Sequence, residues 1–219
     1  MKIVTKIRWP KMGDRPFKDK SADMTSPTWC SLNWMSNLGV SDSLYAEAFK
    51  EAGDKIINEL EREEKAKHPD MYFFPIAFLY RHCLELQMKN IIRLGIWLKL
   101  ISDNEELSGI LASHNLHLLW SKAKAVITKY WPDGDEKDIK AAECIILDFH
   151  SIDKTGQNLR YSEDKSGNKT VRNMPGSVQL IDLKDVFEAI YNFFNGCEAG
   201  LQDGLDTMKS MEQDLGNFY

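Results

Sequence analysis

The chain has 219 residues, of which 43% are hydrophobic and 28% are charged, with 13 Gly and 7 Pro. This composition indicates a globular domain that can bury a core of its own, and it excludes collagen-like, low-complexity and wholly disordered chains. The formal net charge of -5 excludes a uniformly basic nucleic-acid-wrapping protein but leaves room for a local basic patch.

The four cysteines show neither a Cys-x-x-Cys pair nor a Cys/His spacing of the zinc-finger kind, so no metal site and reduced thiols are expected. The first twenty residues lack the apolar run of a secretory signal. The most apolar stretch, residues 91–101, carries two basic residues and is shorter than the ~20 residues that cross a bilayer. These features predict a cytoplasmic protein without membrane spans.

Residues 1–42 differ in composition from the rest and are expected to form an irregular arm. They hold three of the six tryptophans, and seven Lys and Arg against three Asp give them a charge of +4. Either the aromatic residues cover the edge of the core, or the arm is a basic contact for nucleic acid.

From residue 43 onward the apolar spacing predicts helices. The first helix, capped by Ser41 or Ser43, is expected to stop before Pro69, and a second, more apolar helix follows over residues 72–101, with Gly95 expected to kink or thin it. A third helix is expected from Ser113 to about residue 130, ended by a Trp-Pro-Asp-Gly turn, and a fourth ends near residue 151.

Residues 153–180 form a polar insertion that predicts either a loop or a hairpin turning at residues 164–168. Asp182 is expected to cap the last helix, which has an apolar stripe that we predict to be buried. The stripe comprises Val186, Ile190, Phe193, Phe194, Cys197 and Leu201. The chain is therefore predicted to be all-α, a bundle of four to five main helices over residues 43–219.

Common phosphate, cofactor and hydrolase signatures are absent, which leaves charged residues inside apolar helices as the candidates for a site. Arg81, Glu85 and Lys89 are four residues apart and share one stripe of the second helix, with His82 beside it. A solvated surface ladder is one explanation. The apolar residues before the stripe favour another, a partly desolvated ladder that forms a site.

Two further candidates are polar groups outside that helix. His114 and His117 open the third helix, where they indicate an anion or metal site, or else only a cap by Ser113 or Asn115. In the insertion, Arg160 followed by Tyr161 suits a phosphate and a base, because guanidinium bonds phosphate in a fork and the ring offers a stacking face. Alternatively, Arg160 pairs with Glu85 or Asp153 and pins the loop.

Three motifs occur in an order that resembles the pattern of bacterial HEPN-like helical proteins: FLYRHCLELQMKNII, SHNLHLLW and FHSIDKTGQNLRYSEDKSGN. The resemblance covers roughly residues 71–171. It departs at the loop, where members often have Phe-Arg-Tyr-Pro and this chain has Leu-Arg-Tyr-Ser at residues 159–162.

The resemblance implies a homodimer, and it implies metal-independent ribonuclease activity of the kind found in toxin-antitoxin, CRISPR and antiviral defence systems. In that family, activity is associated with an Arg followed by four to six residues and a His. Only Arg62 and His68 have this spacing, which we interpret as a chance match at the end of the first helix. The adjacent pair Arg81 and His82 is the alternative candidate for catalysis, with phosphate stabilisation by arginine and proton transfer by histidine.

We expect one groove to hold the candidate site, in which Arg160 pairs with Glu85 and so leaves Arg81 free for a phosphate. The binding residues expected around that catalytic pair are Glu85, Lys89, His114, Arg160 and Tyr161. RNA or a nucleotide is the expected ligand, an operon-encoded protein is a further candidate partner, and no cofactor is expected. A catalytically inactive module that binds a nucleotide, nucleic acid or protein remains open, as does a purely structural helical subunit.

Overall fold

A computed structural model describes Cys30 and residues 42–62, 68–163, 166–170, 174 and 176–216. The chain divides into two compact units, Met1–Val40 and Ser41–Tyr219. The N-terminal arm thus lies outside the described residues, apart from Cys30 and the helical Asp42. In the described ranges, no helix is long and apolar enough to cross a membrane.

The second unit is all-α, which confirms the predicted fold class. Its helices are α1 (Asp42–Arg62), α2 (Asp70–Trp97), α3 (Glu105–Ala112), α4 (Leu116–Tyr130), α5 (Glu136–Ile152) and α6 (Leu180–Gly216). The short α3 was not predicted. Its N-cap is Asn104, whose side chain accepts a hydrogen bond from the backbone N–H of Leu107.

Helix α2 is the centre of the bundle, and it packs against α1, α4 and α6. It contributes more buried residues than any other described helix, as its apolar sequence predicts. It ends at Trp97 because the chain turns through Lys99, which has a left-handed φ of 57°.

Gly95 lies where α2 packs against α4, and α2 continues through it to Trp97. A Cβ atom built at this position would lie 2.3 Å from Cγ2 of Val126 on α4. The glycine therefore allows α2 and α4 to approach each other closely.

Several helix ends differ from the predictions. Asn115 does cap α4, since its side chain accepts from the N–H of Leu118. Asp182 does not cap α6, because the helix already begins at Leu180. Val186 is 47% exposed and lies outside the buried stripe of α6, whereas Ile190, Phe194, Cys197 and Leu201 are buried as predicted.

The insertion between α5 and α6 is an irregular loop in its described residues. The hairpin alternative is reduced to one isolated antiparallel bridge between Glu163 and Lys169, with Gly167 at a φ of 77° between them. Thr170 closes this turn by donating from its backbone N–H to the carbonyl of Ser162 at 3.0 Å. The loop thereby closes a turn over residues 162–170 before α6 begins.

Candidate functional site

The charged stripe of α2 is buried, as its apolar surroundings predict. Arg81 is 2% exposed and Glu85 is 1% exposed. Arg81 Nη1 donates to Glu85 Oε2 at 3.1 Å, and Lys89 Nζ donates to the other carboxylate oxygen at 2.8 Å. Burial raises the pKa of Glu85, but the hydrogen bonds and charges of Lys89 and His114 outweigh this and hold its pKa below the ordinary value.

All three guanidinium nitrogens of Arg81 bind partners inside the protein. Besides Glu85, Nε donates to the backbone carbonyl of Asp153 at 3.1 Å, and Nη2 donates to the carbonyl of His114 at 2.5 Å. The Asp153 carboxylate also lies 3.4 Å from Nε, which is an ion pair without hydrogen-bond alignment. The expectation that Arg160 pairs with Glu85 and leaves Arg81 free is therefore wrong.

Asp153 and Gly156 fold the start of the insertion onto Arg81. Asp153 Oδ1 accepts from the backbone N–H groups of Gln157 and Asn158 at 2.8 and 3.1 Å. Gly156 has a φ of 75°, and a Cβ atom there would lie 3.1 Å from His114 Cβ and 3.3 Å from Arg81 Nη1. Only glycine gives the loop both this conformation and this close approach.

His114 is the partly exposed member of the network. Its side chain is 54% exposed, and Nδ1 lies 2.9 Å from Glu85 Oε1. Because an ionised carboxylate only accepts hydrogen bonds, Nδ1 carries the proton. When Nε2 is unprotonated, its lone pair is available, as in a histidine base oriented by a carboxylate.

His82 lies in different surroundings from His114, although both belong to the predicted site. Its ring stacks on that of Phe78, with centroids 5.9 Å apart, and is perpendicular to that of Phe49, with centroids 4.5 Å apart. Burial, the largest influence, lowers the pKa of His82 below its ordinary value. His82 is thus a half-buried member of an aromatic cluster, favoured in its neutral form at neutral pH.

Arg160 and Tyr161 extend this cluster outward. The guanidinium of Arg160 lies 5.6 Å from the centroid of Phe78 and 5.7 Å from that of Tyr161, and its Nε donates to the carbonyl of Gly156 at 2.8 Å. Tyr161 is 59% exposed. We refer to these five side chains, each in contact with the next, as the aromatic–arginine row. It comprises Phe49, His82, Phe78, Arg160 and Tyr161.

The structure brings together the residues that the sequence singled out. Arg81, Glu85, Lys89 and His114 form one network, and Gly156 connects it to Arg160. Sequence reasoning missed Phe49, Gly156 and the role of Asp153 as a partner of Arg81. A polar loop with Asp followed three residues later by Gly was the available signal for a turn.

His117 faces a different partner from the one expected. Its ring lies 5.9 Å from that of His150, near the end of α5, rather than joining His114 in a pair. His150 Nδ1 is buried without a hydrogen bond, and burial and the nearby His117 lower the pKa of His150. Among the described residues, no group of three or more His, Cys, Asp or Glu is placed to hold a metal ion.

A cavity of about 570 Å³ opens elsewhere, between the end of α1, the start of α2 and residues 176–181. None of the candidate site residues lines it. Residues 63–67 and 171–173, which adjoin it in sequence, lie outside the described part of the chain. We therefore assign it no role.

Comparisons with protein-family models, with curated proteins and with solved structures found no match to this chain. The resemblance to HEPN proteins consequently stays a prediction from the sequence motifs. The candidate site is defined by its own geometry, a buried ion network that orients the exposed His114 beside the aromatic–arginine row.

Proposed function

We propose that this protein is a dimeric HEPN-like protein of a bacterial defence or toxin system that cleaves RNA without a metal ion. The observation that carries the proposal is the contact between His114 and Glu85, in which a buried carboxylate orients a half-exposed imidazole. An exposed arginine, Arg160, lies on the loop that packs against His114. A base and a cation at one place suit the cleavage of a phosphodiester.

In the proposed reaction, Nε2 of His114 takes the proton of a ribose 2'-hydroxyl. The 2'-oxygen then attacks phosphorus, the bond from phosphorus to O5' breaks, and the departing O5' takes a proton from water or from an imidazolium. The products are a 2',3'-cyclic phosphate and a 5'-hydroxyl. Arg160 stabilises the negative charge that develops on the phosphate oxygens.

These roles differ from those expected from sequence, where Arg81 and His82 were the catalytic pair. We propose that Arg81 is a positioning residue that holds His114 and the insertion in place. Its guanidinium donates to the backbone carbonyls of His114 and Asp153, and Arg81 is 2% exposed. His82 belongs instead to the aromatic–arginine row. Glu85 orients His114, and Lys89 supports the charge of Glu85.

The test is incubation of the purified full-length protein with total RNA and with single-stranded oligonucleotides in EDTA. We expect the wild type to produce ends with cyclic phosphate, His114→Ala to lose at least a hundred-fold in rate, and Glu85→Gln to reduce the rate with an altered pH profile. His117→Ala is the matched control, since it removes another exposed histidine of the same region that does not contact Glu85. Cleavage unaffected by His114→Ala would refute the mechanism.

A second candidate function is binding without cleavage, the inactive HEPN-like module. The observation that favours it is the position of the only Arg-x5-His spacing, since Arg62 is 78% exposed at the end of α1, where it pairs only weakly with Glu59 at 3.9 Å. In that case, the same oligonucleotides bind but remain intact in every variant. Folding of each variant is checked by circular dichroism.

The homodimer is proposed on the resemblance, which implies a dimer. Met71 and Met211, which are 73% and 62% exposed in the second unit, provide apolar surface for an interface. Light scattering at tens of micromolar protein should give about twice the chain mass of 25.2 kDa. A single species of the chain mass would contradict the dimer.

A further inference from the structure

The aromatic–arginine row has a geometry that suits an unpaired nucleobase. Its members come from three segments: α1 supplies Phe49, α2 supplies Phe78 and His82, and the insertion supplies Arg160 and Tyr161. Successive contacts measure 4.5, 5.9, 5.6 and 5.7 Å between ring centroids or from guanidinium to ring centroid. Each spacing lies within the range of aromatic and cation–π contacts, so the contacts run without a gap from Phe49 to Tyr161, with Phe49 edge-to-face on His82 and His82 stacked on Phe78.

The row is closed at its inner end and open at its outer end. Phe49, Phe78 and His82 are half-buried between α1 and α2, whereas Arg160 and Tyr161 are exposed. A ring that lies on the surface at the end of a stack presents a face on which a further planar group can continue the stack.

Tyr161 is held in place by backbone hydrogen bonds on both sides. Its N–H donates to the carbonyl of Gln157 at 3.1 Å, and its own carbonyl accepts from Oγ1 of Thr170 at 2.7 Å. A fixed backbone reduces the conformational entropy that the ring loses when a ligand stacks on it. The exposed tyrosine is therefore preorganised by the loop.

The terminal nitrogens of Arg160 form no hydrogen bond to any residue that the structure describes. Within the described residues, its hydrogen bond is the one from Nε to the carbonyl of Gly156, and Arg160 forms no ion pair with a carboxylate there. The two terminal nitrogens of a guanidinium match two oxygens of a phosphate. A base on Tyr161 and its phosphate on Arg160 would thus place one nucleotide at the loop.

We propose that the aromatic–arginine row binds single-stranded nucleic acid, with an unpaired base stacked on Tyr161 and the adjacent phosphate on Arg160. This inference rests on the proposed action on RNA and names its substrate class. Bases in a duplex are already stacked and paired, so their faces are not accessible to the ring. The row therefore selects single strands and delivers the neighbouring ribose toward His114.

The experiment measures binding separately from cleavage, by fluorescence anisotropy with the full-length protein. The probes are a labelled single-stranded DNA of twelve nucleotides, which has no 2'-hydroxyl and stays intact, the same sequence as RNA in EDTA, and the DNA duplex. We expect single strands to bind at least ten-fold more tightly than the duplex. Equal or tighter binding of the duplex overturns the inference.

Variants test the two contacts. Tyr161→Ala should weaken binding of the single strand about ten- to a hundred-fold, whereas Tyr161→Phe, which keeps the ring, should stay within about two-fold. Arg160→Ala should weaken binding and lower the slope of log affinity against log salt by about one phosphate contact. Trp97→Ala removes a 53% exposed aromatic ring at the far end of α2 and should leave the affinity unchanged.

The outcomes separate this inference from the proposed catalysis. If single strands bind through Tyr161 but RNA stays intact, the inference stands and the cleavage proposal fails. If RNA is cleaved through His114 while Tyr161→Ala binds normally, cleavage stands and the inference fails. Absence of single-strand binding at tens of micromolar protein also overturns the inference.

Discussion

Two ladders of charged residues in this protein share one spacing but lie in opposite surroundings. On α2, Glu85 pairs with residues four positions before and after it, and the side chains of Arg81 and Glu85 are each 2% exposed. On α5, Glu136 pairs with Lys140 at the same 2.8 Å that separates Lys89 from Glu85, yet those side chains are 84% and 70% exposed.

The difference between the ladders lies in what surrounds them. The buried ladder binds groups far away in sequence, including the Asp153 carbonyl and the His114 ring, so that it fixes the loop and the histidine relative to α2. In the described part of the chain, the hydrogen bond of the exposed ladder, from Lys140 to Glu136, stays within α5. A buried pair costs desolvation and gains little net stability, but loss of one partner leaves an unpaired charge inside the protein. The α2 ladder therefore fixes the positions of the loop and His114 relative to α2, whereas the α5 ladder is a solvent-exposed pair within one helix.

Removal of the Glu85 charge should produce the largest effect on stability. Glu85→Gln keeps the size of the side chain but leaves the buried Arg81 and the adjacent Lys89 without their common anion. We expect the free energy of unfolding to fall by about 3–5 kcal/mol, measured by urea denaturation followed by circular dichroism.

A double variant serves as the control for this prediction. Lys89→Met combined with Glu85→Leu removes the carboxylate together with its lysine and leaves Arg81 its ion pair with Asp153, so it should recover part of the loss. A loss below about 1 kcal/mol in Glu85→Gln would show that the buried network does not depend on its central carboxylate.

Most of the fold could be predicted from sequence, because apolar residues at helical spacing signal the buried faces of the long helices directly. The stripe on α2 was predictable for the same reason, as was its burial. Its partners were not. Arg81 and Asp153 are separated by 72 residues, and their contact depends on how an irregular loop folds back, which no local pattern encodes.

The errors have similar causes. Sequence predicts a kink or thinning at Gly95, but the close neighbour of this glycine is Val126 on another helix, which only the packing reveals. Sequence also predicts that Arg160 pairs with Glu85, whereas it lies over Phe78. Phe78 and His82 are four residues apart and so share a helix face, which is the signal from which part of the aromatic–arginine row could have been found.

Two glycines in the insertion allow a packed backbone position to be compared with an unpacked one. Gly156 and Gly167 have φ angles of 75° and 77°, but only Gly156 has neighbours within 4 Å of an added Cβ. Gly167→Ala should cost about 1 kcal/mol for the left-handed conformation, and Gly156→Ala about 2 kcal/mol, because it also crowds His114 and Arg81. Urea denaturation measures both. Equal losses would mean that the loop is not tightly packed on the ladder.

The pH dependence of the free energy of unfolding should reveal the burial of His82 and His150. His82 and His150 have pKa values lowered below the ordinary 6.5 by burial, so the unfolded chain binds more protons than the folded one. The free energy of unfolding should therefore fall as the pH decreases from about 7.5 through the ordinary histidine pKa to about 5.5. His150→Asn should reduce the fall. An unchanged slope in His150→Asn would contradict the assignment.

The smallest effect is expected on the exposed ladder. The pKa of Glu136 is lowered, first by its hydrogen bond from Lys140, but both side chains are largely in water, where salt screens their attraction. We expect Glu136→Gln and Lys140→Gln to leave the free energy of unfolding unchanged within error. The same absence of a loss is expected in about 1 M salt. Glu85→Gln should keep its full loss in that salt, because its partners are shielded from solvent. If the two substitutions respond alike, burial is not what distinguishes the ladders, and the positioning role of the α2 network fails with it.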